Sequence, residues 1–380
     1  MITGNLFFLY AANFILGLMA GFFMHRSDYC VAGMFRDIFL FRRATMLRFL
    51  FLQIIVTMVF FELARRAGLL SLYPFPLLGP PTLTALAGGF LFGIGMVLAG
   101  GCVVGTLYRI GAGNVLSIVA LVGILAGSAL YAEMHPWWSR LAKNAILTRD
   151  AITLPQLLGL SPTILIGLIT VPAILLFLHW RRRNLWRRSS VADGYIQPGQ
   201  TALVLAGISL LSYLLNGMPI GVTTTYAKMA AMIEHIIAPD HVDHSAYFSA
   251  RSLDIIHPDS GAHLAGSGGP YLDTIWAIQF PVIAGIVLGS LLSALHLREL
   301  TLRTRLPSRQ YAMVLAGGLL LGLASRMASG CNIWHLMGGL PILALQSLLF
   351  LAGLLPGCWL GSSILARALS QRPLSSMSAP

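Results

Sequence analysis

Residues 86–102 read LAGGFLFGIGMVLAGGC, and residues 315–331 read LAGGLLLGLASRMASGC. Adding 229 to a position in the first stretch gives its counterpart in the second, and nine of the seventeen positions are identical. Each copy spells an apolar helix with small residues at close spacing, which suits tight helix–helix contact inside a bilayer. Each then ends on a Gly-Cys step. A duplicated apolar helix that breaks inside the membrane is a device by which transport proteins build a central site. The expected fold is therefore all-α and polytopic, with inverted-topology repeats and broken or re-entrant helices meeting near the midplane.

The surroundings agree. Of 380 residues, 57% are hydrophobic and 10% charged, against roughly 25% charged in ordinary globular domains. Residues 67–108, 110–132, 151–180, 274–297 and 327–366 contain no Asp, Glu, Lys or Arg. A spanning helix needs about 20 apolar residues, so these runs predict crossings near 5–24, 46–64, 83–100, 113–132, 157–180, 199–217, 275–296, 311–328 and 341–366. Short apolar pieces after Cys102 and Cys331 read as half-helices. The lipid bilayer is thus an expected partner. Residues 1–24 lack a basic start and a cleavage site and read as a retained helix.

The net charge of +12 is explained by loop arginines rather than by nucleic acid, which is not an expected partner. Three basic clusters mark one side: Arg26 to Arg48; Arg181, Arg182, Arg183, Arg187 and Arg188; and Arg298, Arg303, Arg305 and Arg309. Segment 234–273 holds six of the thirteen acids and one arginine, Arg251. Putting the arginines in the cytoplasm places the N-terminus outside, the C-terminus inside, and the helices at 83–100 and 311–328 antiparallel. The expected organisation is a first repeat half over 1–180, a basic linker over 181–198, and a second half over 199–380. The second half carries an outer insertion at 218–273, read as a partly ordered cap.

Glycines 100, 101 and 330 let the helix open before Cys102 and Cys331. An opened helix offers backbone N–H groups to an anion, favours a thiolate beside them and exposes its sulfur. One such break alone reads as a packing seam; two at equivalent places read as a site. Arg326 either faces a cavity and draws an anion towards Cys331, or snorkels to an interface. Arg109 reads as an inner-face anchor and Tyr108 as an interfacial aromatic. Arg36 and Asp37, beyond Cys30, read as a local ion pair, and Cys358 as packing. The DHVDH run at 240–244 reads as a solvated cluster rather than a metal site. Without a CxxC pair, a Walker motif or a catalytic triad, the chain is expected to need no metal or cofactor and to be a transporter, not an enzyme.

Three motifs carry a resemblance to the YeeE/YedE family of bacterial inner-membrane sulfur transporters. They are Cys30 followed by Phe35-Arg36-Asp37; LAGGC ending at Cys102, followed by Gly105 and Tyr108-Arg109; and Gly330-Cys331-Asn332 preceded by Arg326. The resemblance implies import of thiosulfate through a central pathway lined by Cys30, Cys102 and Cys331. The expected pathway set is those three cysteines with Gly100, Gly101, Gly330, Asn332 and Arg326. It also implies an outer funnel and, in some members, a small TusA-like cytoplasmic sulfur carrier as partner. The long second-half insertion and the RLPSRQ run at 305–310 look more like the YedE branch, linked with selenium. Uptake of a selenium oxyanion, or a persulfide relay to a cytoplasmic carrier, are the alternatives to plain thiosulfate transport.

Overall fold

The computed structural model describes residues 2–188, 193–256, 261, 263–302 and 307–370. Arg303 and Arg305 of the third basic cluster lie outside these, as does part of the linker. The chain forms α1 (Ile2–Ser27), α2 (Val31–Phe41), α3 (Thr45–Arg66), α4 (Leu83–Leu98), α5 (Val103–Gly111), α6 (Val115–Asn144), α7 (Leu154–Leu158), α8 (Pro162–Arg182) and α9 (Pro198–Asn216). The insertion then folds as α10 (Thr223–Ile237), α11 (Pro239–His244), α12 (Ala246–Ser249) and the antiparallel hairpin of β1 (Arg251–Ile256) and β2 (His263–Ser267). Helices α13 (Thr274–His296), α14 (Ser308–Met327) and α15 (Leu345–Ser370) complete it. Between α14 and α15 the chain makes a π-helical turn at Trp334–Gly339 and a 3-10 turn at Leu340–Ile342.

Local chemistry sets the helix ends. Pro162 and Pro198 lie in the first turns of α8 and α9, where no N–H partner is needed. The Asn114 side chain accepts from Ser117 N–H at the start of α6, and Asp273 accepts from Trp276 N–H at the start of α13. Among the described residues, eight helical stretches are long and apolar enough to cross a membrane. The protein is thus a multi-pass, all-α membrane protein, with its single described hairpin confined to the insertion. Nine crossings were expected from the sequence. Helix α14 is not among the eight, because Arg309 and Arg326 interrupt its apolar run. Helix α6 extends to Asn144, twelve residues beyond the expected end, and passes through Pro136.

Packing is organised by glycine. On α4 and α14, a Cβ at Gly88 would lie 2.8 Å from Ala328, and one at Gly317 would strike Ala99. These are the same contact seen from either side, because 88 and 99 become 317 and 328 on adding 229. The two helices therefore run antiparallel. Gly89 and Gly93 press on the Phe350 and Leu354 carbonyls of α15, while Gly318 and Gly322 press on the Ala120 and Ile124 carbonyls of α6. In return Gly353 of α15 abuts Leu86, as Gly123 of α6 abuts Leu315. Helix α1 likewise packs along α13, as α9 packs along α3. Arg26, ending α1, bonds the Gly194 carbonyl just before α9, and Asn13 exchanges amide hydrogen bonds of 3.0 and 2.9 Å with Asn216, ending α9. Those two helices are also antiparallel. Each backbone approach of this kind requires the absence of a side chain.

Candidate functional site

The two duplicated segments break in the same way. Gly100 takes a left-handed conformation (φ 72°), and its counterpart Ser329 does too (φ 59°). A left-handed residue one step past the helix end is a helix stop; glycine fits without cost, serine only under some strain. The chain then restarts, with a cysteine capping each new helix. Gly105 N–H donates to Cys102 Sγ at 3.2 Å, while Cys331 takes the place before its helix and its carbonyl accepts from His335 N–H at 3.0 Å. The cap is a thiol where Ser, Thr, Asp or Asn would be usual.

Cys30 stands at the N-cap of α2 in extended conformation, with no cap bond to its side chain. A Cβ placed on Gly105 would lie 3.2 Å from Cys102 Sγ and 3.3 Å from Cys30 Sγ. Cys30 and Cys102 thus meet at one spot, and Cys331 lies in the same region, with Tyr226 close to both Cys331 and Cys102. All three are buried, Cys102 completely; the expectation that the helix breaks leave the sulfurs exposed is corrected, because α1, α9, α10 and α13 close over them. Cys358 is also buried, packed where α15 meets Gly93 of α4.

Two polar side chains at the cluster have no partner of their own. Asn332 is fully buried with its side chain against the Cys102 thiol; apart from that sulfur contact, neither its Nδ2 nor its Oδ1 has a hydrogen-bond partner. Tyr226 of α10 is buried close to the Cys331 and Cys102 thiols, and its hydroxyl is likewise unpartnered. Burying such atoms unsatisfied costs about 1–3 kcal/mol each, and sites that keep them are candidates for binding a polar ligand. Asn332 followed from its place beside Cys331. Tyr226 was missed, since its segment has no counterpart in the duplicated stretch.

Beyond Cys331, towards the insertion, lies a cavity of about 280 Å³. Its lining includes Tyr131, His135, Thr223, Tyr247, Gln279 and Arg326, with Gly330 and Trp334 at the cysteine end. Arg326 faces this cavity rather than lipid. It donates to Thr224 at 3.1 Å, to Tyr247 Oη at 3.3 Å and to Thr223, while its Nε has no partner. All three acceptors are neutral, so no carboxylate cancels the guanidinium charge through these bonds. Trp334 roofs Gly330 and also stands over Gly221, separating the cavity from Cys331.

On the opposite side, Tyr108 is buried rather than interfacial, and its hydroxyl meets Asp28 at 3.5 Å. Arg109 corrects the reading as an anchor: it folds back to donate to the Gly100 carbonyl and so staples the first break. Arg188 of the linker reaches Asp28 at 3.2 Å. Arg36 and Asp37 form the expected pair at 3.1 Å. In the DHVDH run, His241 turns away from its own aspartates to Glu133 at 2.8 Å and Glu234 at 3.3 Å. That exposed trio is close enough to share an ion, but its hydrogen bonds already account for its geometry.

Buried thiols at helix breaks, two orphaned polar groups and a cationic cavity above them describe a membrane transporter for a small anion. The chain belongs to the sulphur-transport family, whose family model matches residues 26–360. It is similar to the thiosulfate transporter TsuA of Spirochaeta thermophila, 26% identical over 370 residues covering 93% of this chain and 98% of that protein. The thiosulfate transporter TsuA of Escherichia coli is 26% identical over 372 residues, covering 94% and 95%. The probable transporter YedE of Salmonella typhimurium matches 171 residues at 28% identity, 44% of this chain and 40% of that protein.

Proposed function

We propose that the chain imports thiosulfate along a path from the Arg326 cavity past Trp334 to Cys331, Cys102 and Cys30. The observation that carries this reading is the gathering of three buried thiols around unpartnered Asn332 and Tyr226. Thiosulfate has one soft terminal sulfur and a hard sulfonate end. The thiols suit the sulfur through S–H contacts, while the Asn332 amide and the Tyr226 hydroxyl suit the oxygens. Arginine alone would accept sulfate as readily; the thiols supply the preference for sulfur. End-to-end likeness to two proteins named thiosulfate transporters supports this substrate over a selenium oxyanion.

In this proposal residues 1–180 and 199–380 are inverted halves joined by the basic linker 181–198, and the reciprocal glycine contacts support that division. The protein sits in a bacterial inner membrane, N-terminus outside and C-terminus cytoplasmic, as the arginine clusters favour. A TusA-like carrier at the arginine-rich face is the proposed cytoplasmic partner. The test is uptake of thiosulfate, sulfate, sulfite and selenite by the purified chain in liposomes. Cys102→Ala and Cys331→Ala are expected to lose thiosulfate uptake at least tenfold. Wild-type rates in both, at equal protein content, would overturn the cysteine pathway.

A further inference from the structure

The helix that follows each pathway cysteine carries the smallest possible residue at its third position in one copy and the largest in the other. Gly105 stands three residues after Cys102, and Trp334 three residues after Cys331; the two positions differ by the same 229. Gly105 donates its backbone N–H to the Cys102 sulfur, and both residues lie in the first turn after their break. Trp334 shows that this backbone arrangement tolerates a side chain. Gly105 is not among the residues with positive φ, so conformational freedom does not explain a glycine in the first turn of a helix, where alanine is the better helix former.

Space explains it. The missing side chain of Gly105 leaves a gap flanked by Cys102 Sγ at 3.2 Å and Cys30 Sγ at 3.3 Å, with Tyr108 Cε1 at 4.0 Å. Each sulfur distance is shorter than an ordinary carbon–sulfur contact, so a methyl group there would crowd both thiols at once. We infer that Gly105 sets the aperture between Cys102 and Cys30, and that the room it leaves is the room through which the soft sulfur of the anion passes from one thiol to the next. Gly105 is a specificity-determining residue: it touches no charge, yet it fixes how large a group fits between the two sulfurs. Trp334, its counterpart, closes the other end of the thiol cluster against the Arg326 cavity. The two equivalent positions thus give a pathway of repeated backbone two unlike ends, an aromatic cover and a narrow pass.

This inference rests on the cysteine-pathway reading, and the experiment separates them. Gly105→Ala is compared with wild type, Cys102→Ala and Cys331→Ala for thiosulfate uptake in liposomes, with thermal unfolding measured on each. Gly105→Ala is expected to remain folded, with at most a modest drop in unfolding temperature from the crowding, while its uptake falls at least tenfold. Labelling supplies a second readout. Methyl methanethiosulfonate added from the insertion side, followed by peptide mass spectrometry, is expected to modify Cys331 at the wild-type rate in Gly105→Ala and Cys30 at least tenfold more slowly. If the cysteine variants lose uptake while Gly105→Ala transports and labels as wild type, the aperture falls and the pathway stands. If the cysteine variants transport normally, the pathway itself falls. Should Gly105→Ala fold poorly, the Cys30-to-Cys331 labelling ratio in Gly105→Ser decides, and an unchanged ratio overturns the inference.

Discussion

Asn332 brings two polar side-chain atoms into a fully buried place where neither finds a nitrogen or oxygen partner and the amide rests against the Cys102 thiol. The fold would be better served there by leucine, which has nearly the same shape and nothing to leave unpaired. Asn332→Leu is therefore expected to raise the resistance to unfolding by about 1–3 kcal/mol, seen as a higher Tm in detergent, while thiosulfate uptake is lost. A lower Tm would mean the amide is already satisfied in the folded protein. Stability given up at one residue in this way is common where function needs the group. Such residues divide sharply in how readable they were. Cys102, Cys331 and Asn332 lie inside or beside a stretch that the chain writes twice. Tyr226, Thr223 and Tyr247 do not; they reach the site only because α10 and the insertion fold over it, roughly 100 residues from Arg326 and Cys331. Arg109 was misread for a related reason: hydropathy locates a residue along a helix, not the direction in which its side chain turns.

At the scale of helices, the seam between α4, α14, α6 and α15 was legible as small-residue spacing, and its strict reciprocity was not. Gly93 against Leu354 and Gly322 against Ile124 are one contact made twice. Overpacking a close helix contact costs about 1–3 kcal/mol. Gly93→Ala and Gly322→Ala are expected to destabilise by similar amounts within that range, and the double variant by roughly their sum, measured as unfolding in denaturing detergent. A large loss in one and none in the other would show that the two pairs are not structurally equivalent. The break after α14 could be placed from sequence because Ser329 aligns with Gly100. Its irregular continuation, a π-helical turn from Trp334, could not, since no periodicity distinguishes it from ordinary helix.

Taken whole, the molecule is a bundle with a cap over one mouth. His241 fastens the cap, bonding Glu133 of α6 and Glu234 of α10. The hydrogen bond to Glu133 holds its imidazole above the ordinary histidine value. Burial, with Glu133 nearby, likewise raises the Glu234 carboxyl. Both groups bind protons more tightly in the closed cap, so this stabilisation is complete at lower pH and fades as pH climbs through the raised values. Also near are His235 and Asp243, 3.9 Å apart. Hydrogen exchange over 223–244 is expected to quicken from about pH 6 to about pH 9 beyond the intrinsic chemical trend, and His241→Gln to flatten that rise. The insertion was readable as a separate element, but not its latch, because Glu133 lies more than 100 residues from His241.

The mirrored breaks have one more consequence. Each restarts a helix at a cysteine, so in the proposed pathway two positive dipole ends converge on one interior region from opposite directions. A negative ion there sits in an electrostatic well with comparable walls on both sides. Falling in is downhill from either face, climbing out is uphill towards both, and turnover is governed by departure. The well itself prefers no heading, so the proposed import takes its direction from the driving gradient and not from the site.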